Sequence, residues 1–211
     1  MAKLVDRPSS ARGDRRREQL VDAGVALLCE GGWPAVTTRA VAERAMTKPG
    51  LIHYHFGGLP GLRTAIARRA GELIIGPLLD ELLAAEDDRQ ALTVVQRLTS
   101  ETAGDERMIR MGVELIAGAM RDPALGEVLR DELRRARERL GRRLGELHPD
   151  WSTGRRSGAA TLVAALIDGL MLHRMLDPGL DTGEAMAAVE DLLSPQSETV
   201  RKEQHGHRGE A

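Results

Sequence analysis

Residues 37–56 read Thr-Thr-Arg-Ala-Val-Ala-Glu-Arg-Ala-Met-Thr-Lys-Pro-Gly-Leu-Ile-His-Tyr-His-Phe. Two short helical patterns lie on either side of a break at residues 46–48. Thr37 is suited to cap the first, because its hydroxyl can accept a hydrogen bond from an orphan N–H of the next turn. Val41, Ala42 and Ala45 recur at helical spacing and mark one buried face. Pro49 suits the first turn of the second helix, where a missing N–H costs nothing. Ile52 and Phe56 bury one side of that helix and leave Leu51, His53, Tyr54 and His55 to point elsewhere. A short helix held at both ends, with outward residues able to meet phosphates and bases, is what a helix-turn-helix reader requires.

Around this stretch the chain reads as helix after helix, punctuated by Gly and Pro, with no sustained alternation of period two. The expected fold class is therefore all-α. A first helix spans about residues 14–30 and stops at Gly31-Gly32. A fourth begins near Pro60 and carries Leu62, Ile66 and Ala70, with Pro77 expected to kink or end it. Five more are expected at 88–102, 106–121, 123–147, 153–176 and 182–193. The division expected is a three-helix helix-turn-helix domain over 14–60 and a second helical domain over 61–194. Residues 1–13 and 195–211 read as disordered tails.

Composition narrows the class. The 211 residues carry a formal net charge of −2, but the charge is divided. Residues 1–70 hold 12 Lys/Arg against six Asp/Glu, a net of +6, leaving −8 for the remainder. A basic head suits a polyanion, since phosphate contacts supply most non-specific DNA affinity. The single cysteine, Cys29, fits a reducing cytoplasm and packs as a small hydrophobe. The polar start is unlike a secretion signal. The most apolar run, residues 159–172, is 14 residues long and holds Asp168, short for a membrane span. No nucleophile–base constellation, metal-ligand cluster or phosphate-binding glycine loop marks an enzyme, so neither a catalytic nor a metal site is expected, and no cofactor.

The segment resembles the TetR family of bacterial transcriptional regulators. The likeness runs in order through Leu20-Val21-Asp22-Ala23, Leu27-Leu28, Gly32-Trp33, Val36-Thr37-Thr38-Arg39, Val41-Ala42 and Gly50-Leu51-Ile52-His53-Tyr54-His55-Phe56. It implies DNA contacts by Thr37, Thr38 and Arg39 at the start of the second helix, and by Lys48, Gly50, Leu51, His53, Tyr54 and His55 from the recognition helix. The chemistry agrees: Arg39 can bond bidentately to guanine, Leu51 can touch a thymine methyl, and Thr, Tyr and His donors suit phosphate. The alternative is that Tyr54 and His55 pack inside the small domain. Met46 stands where the family usually has glycine, and Leu59 where a lysine often meets a phosphate. Lys3, Arg7, Arg12 and Arg15–Arg17 read either as an arm toward the DNA backbone or minor groove or as a solvated tail.

Residues 153–176 are apolar nearly all round between 159 and 172, so both sides require cover, and a second copy can supply one of them. Ala165-Leu166-Ile167-Asp168-Gly169-Leu170 also resembles the dimer helix of the choline-repressor-like subset. The expected interface holds Leu162, Leu166, Leu170 and Ala187. For an effector, the methionine-rich helix offers Met108, Met111, Glu114 and Leu115, joined by His173, although such a stripe is as readily ordinary core. The scarcity of aromatics favours an aliphatic or amphipathic effector. The function expected is a homodimeric repressor on a palindromic operator in double-stranded DNA, released by a small-molecule effector, and cytoplasmic rather than membrane-bound. A ligand-blind or activating regulator stays open, as do, from other classes, a helical carrier, enzyme or adaptor.

Overall fold

The computed structural model describes residues 11–102, 105–177 and 179–193. Among these the chain forms nine helices and no strand: α1 (Ala11–Ala35), α2 (Thr38–Arg44), α3 (Gly50–Phe56), α4 (Leu59–Ala84), α5 (Asp88–Thr102), α6 (Glu106–Arg121), α7 (Pro123–Leu147), α8 (Thr153–Leu176) and α9 (Thr182–Leu193). The all-α expectation holds. Ala11–Gly13, expected in a disordered tail, are the first residues of α1. The rest of that tail and residues 195–211 lie outside the described residues.

Local chemistry sets several of the ends. Asp105 accepts bonds from the Arg107 and Met108 N–H groups at the start of α6. Asp122 accepts from Ala124 N–H at the start of α7, and Ser152 from Arg155 N–H at the start of α8. These are side-chain N-caps, which satisfy donors a helix start leaves free. Gly32 closes the regular part of α1 at φ 69°, a left-handed conformation that glycine adopts without strain. Pro77 does not end α4, which runs through it to Ala84. Ile75, Leu78, Leu79, Leu82 and Leu83 around the proline all pack into the body, and that burial outweighs one missing helical hydrogen bond.

Three apolar clusters form among the described residues. The largest joins Leu20, Leu28, Val36, Val41, Ile52, Leu62 and Ile66 of α1–α4 to Met111 and Leu115 of α6 and Leu125 and Val128 of α7. A second unites Leu82, Val95, Ile167 and Met186 from α4, α5, α8 and α9. The third joins Leu79, Leu140 and Ala160 from α4, α7 and α8. Helix α4 contributes to all three and is the spine from head to body. One core thus continues across residues 60–61.

By length and composition, α8 is the one helix among the described residues that could cross a membrane. The 14-residue apolar run understated this, because small and polar residues at its ends extend the helix to 24. It packs against α5 and α7 as a bundle element.

Candidate nucleic-acid interface

The reading head is built on a turn that the sequence makes under strain. Thr37 Oγ1 accepts the Ala40 N–H at 3.1 Å and starts α2. At the other end, Met46 N–H donates to Glu43 O at 3.0 Å and Thr47 N–H to Ala42 O at 2.9 Å. This pair of bonds is a Schellman closure, whose left-handed position is usually glycine. Here it is Met46, at φ 48°, with its side chain 90% exposed. The residue that departs from the family pattern therefore takes the backbone conformation that glycine would take.

Three further contacts fix α2 and α3. Arg44 forms a two-pronged ion pair with Glu30, with Nη1–Oε1 at 2.9 Å and Nη2–Oε2 at 2.6 Å. Arg63 Nη2 donates to Val36 O at 3.3 Å, tying α4 to the residues before α2. Helix α3 ends at Gly57 in the left-handed region. Next, α4 approaches so closely that a Cβ at Gly61 would lie 2.0 Å from Phe56 O.

Held this way, α3 buries Ile52 completely and leaves His53 and Tyr54 exposed. Tyr54 is 80% exposed, and its ring meets that of His55 edge-on at 4.9 Å. His55 is half-buried and also touches Phe56. Thr37, Arg39, Lys48 and Gly50 are exposed, and Thr38 is half-buried beside them. No ion pair among the described residues occupies Arg39 or Lys48. Leu51 departs from its expected outward role: it is half-buried and packs on the head core. Leu59 packs there too, so apolar contact replaces the usual lysine.

The residues expected to line an effector cavity are elsewhere. Met111 is 1% exposed and Leu115 5%, and both belong to the head core, with Met108 packed against it. Cys29 Sγ lies 3.6 Å from Met111 Sδ. Burial pushes the Cys29 thiol pKa up, against the pull of Arg107. Trp33 N–H donates to Glu114 Oε2 at 3.1 Å, and Trp33 Nε1 donates to Glu114 O at 2.7 Å. The acid expected to meet a cationic ligand is therefore already an acceptor. His173 is exposed on α8. The helical stripe was real, but it faces α1, because the single chain buries its most apolar surface first. The signal for this α1–α6 clamp was Gly118, one turn beyond Glu114: a Cβ there would come within 2.4 Å of Trp33 Nε1.

A capped two-helix turn on a basic head, with polar and aromatic side chains exposed along its second helix, defines a helix-turn-helix DNA-binding regulator. The comparisons with known proteins agree. Residues 20–62 match the model described as bacterial regulatory proteins, tetR family. Residues 78–196 match that of the BetI-type transcriptional repressor, C-terminal. The HTH-type transcriptional regulator BetI of Burkholderia cenocepacia (strain J2315) is 30% identical over 189 residues, covering 88% of this chain and 96% of that protein. Among solved structures, SCO7518 of Streptomyces coelicolor A3(2), a proposed transcriptional regulator, is 28% identical. It superposes with a TM-score of 0.70 over 86% of this chain and 99% of its own. The multidrug binding protein EbrR, complexed with imidazole, is 25% identical with a TM-score of 0.64, over 87% and 97%. The chain belongs to the TetR family of bacterial transcriptional regulators and carries a BetI-type repressor C-terminal half. It is a DNA-binding regulator and not an enzyme.

Proposed function

We propose that two copies of this chain pair through α8 and α9 and set two recognition helices into successive major grooves of a palindromic operator in the cytoplasm. The observation that carries this reading is the bare face of α8. Leu162 is 72% exposed, Leu172 51% and Leu176 73%, with Ala165 and His173 exposed between them and Ala187 on α9. Spacings of three and four put the α8 residues on one stripe. Three exposed leucines along one side of a helix, with Asp168 and His173 among them, mark an interaction surface. Asp168 is exposed on the same helix, yet desolvation raises its carboxyl pKa, opposed by Arg137.

Leu166 and Leu170 are half-buried against the cluster of Leu82, Val95, Ile167 and Met186. Their partners within one chain make them edge residues of the proposed interface, with Leu162 its better probe. A charge at 162 would be buried without compensation on pairing while touching little in the single chain. Light scattering should report a dimer for the wild type and a monomer for Leu162→Glu, with unchanged helical content. Binding to a duplex with two half-sites should fall together with dimerisation. A Leu162→Glu dimer of wild-type stability would exclude this pairing.

A small molecule is proposed to release the operator, a reading supported by the family and by a relative captured with imidazole. The Trp33–Glu114 clamp offers the route, since a shift of α6 would displace the end of α1. Linkage then requires that effector lower DNA affinity by the factor by which DNA lowers effector affinity.

A further inference from the structure

Helix α1 continues beyond the head, and its buried face changes character there. From Leu28 through Gly24 to Leu20 that face is buried. One and two turns earlier, the same helical face carries Arg12, Gly13, Arg16 and Arg17. Arg17 explains itself: its guanidinium stands 5.1 Å from the centre of the Phe56 ring, at the end of the recognition helix. This contact pins the amino end of α1 beside the carboxyl end of α3. Arg16 donates only to the amide oxygen of Gln19, at 3.0 Å, and Arg12 is exposed. Neither forms an ion pair among the described residues. Two guanidinium groups without carboxylates thus extend the basic surface of the reading head past its major-groove element.

We infer that Arg12 and Arg16 form a second DNA contact, gripping the sugar–phosphate backbone outside the bases read by α3. The inference rests on the DNA-reading role assigned to α2 and α3. Charge complementarity and continuity with that face select duplex DNA as the occupant. The contact is sequence-independent, because a guanidinium on a phosphate oxygen positions the protein without reading a base.

The test uses the full-length chain and an operator duplex selected from genomic fragments by the wild-type protein. Affinity is measured by fluorescence anisotropy from 50 to 300 mM salt. Each lost phosphate contact flattens the log–log salt slope by about 0.9, so Arg12→Ala/Arg16→Ala, which removes two contacts from each of the two subunits, should flatten it by roughly three to four. Affinity near 100 mM salt should drop roughly tenfold or more, with the same sequences selected. Hydroxyl-radical protection should vanish at the outer edge of each half-site only. Arg12→Lys/Arg16→Lys should keep the wild-type slope, which separates charge loss from misfolding. Wild-type slope and affinity in the alanine variant would overturn the inference while leaving the α3 reading intact. An altered base preference would overturn it as well. Failure of the wild type to select any duplex would instead defeat the underlying DNA-reading assignment.

Discussion

Single residues decide how the reading head performs. Met46 holds a left-handed backbone conformation that costs a side-chain-bearing residue roughly 1–2 kcal/mol. Its side chain is almost wholly exposed, so little packing offsets the cost. Met46→Gly should therefore stabilise the protein by about 0.5–1 kcal/mol, after the extra unfolded-state freedom of glycine is counted. Thermal unfolding reads this as a higher midpoint, and a fall would refute the strain assignment. Exposed Lys48 and Tyr54 make the complementary case. Lys48→Ala and Tyr54→Phe should weaken operator binding with the fold intact, Lys48→Ala flattening the salt slope by about one for each subunit bound, or about two for the dimer. Arg39→Ala should cost roughly 1–3 kcal/mol of discrimination at one base pair. Wild-type affinity and base preference across all three would remove them from the interface. Cys29 provides a probe of the core: burial raises its thiol pKa, so little thiolate exists near neutral pH. A thiol reagent should label it slowly in the native protein and rapidly in denaturant, and fast native labelling would show that the α1–α6 seam opens.

At the scale of the element, α6 is tied to α1 at two levels. Gly118 gives the Trp33 indole its place, and Glu114 accepts from both N–H groups of that residue. Gly118→Ala should push the indole out and cost about 1–3 kcal/mol through overpacking. The measurements are denaturant unfolding and the fluorescence of Trp33 in a Trp151→Phe background. An unshifted spectrum with full stability would mean that the seam yields freely. Glu114→Gln should keep the accepting oxygen and most of the stability. Such a clamp has a functional meaning only if the head follows α6, so a small-molecule response should weaken in Gly118→Ala before operator affinity does.

The whole molecule is a basic head and an acidic body sharing α4 as a spine. The head's core includes Met111, Leu115, Leu125 and Val128 from α6 and α7. A fragment ending at residue 70 would expose that surface and lose those contacts. It should melt well below the full chain, or stay unfolded, by circular dichroism. Cooperative unfolding of the fragment at the full chain's midpoint would show that the head stands alone. This coupling lets events in the body reach the DNA face without a flexible link.

How much of this was legible in the sequence follows from the range of each interaction. Helix positions, the Thr37 cap, the glycine stop near residue 32 and the exposed polar edge of α3 depend on neighbours within one or two turns. Composition alone shows the split of charge between head and body. The sequence could also show that α6 has an apolar stripe and that α8 is apolar nearly all round. It could not say what each faces, because an apolar face specifies burial without specifying the partner. Tertiary structure turned Met111 and Leu115 toward α1, engaged Glu114 with Trp33, drew Leu51 and Leu59 into the head core and left Leu162 bare. These outcomes depend on which helices cross at close range, and that is set by contacts about 80 residues apart, such as Trp33 with Glu114 and Cys29 with Met111.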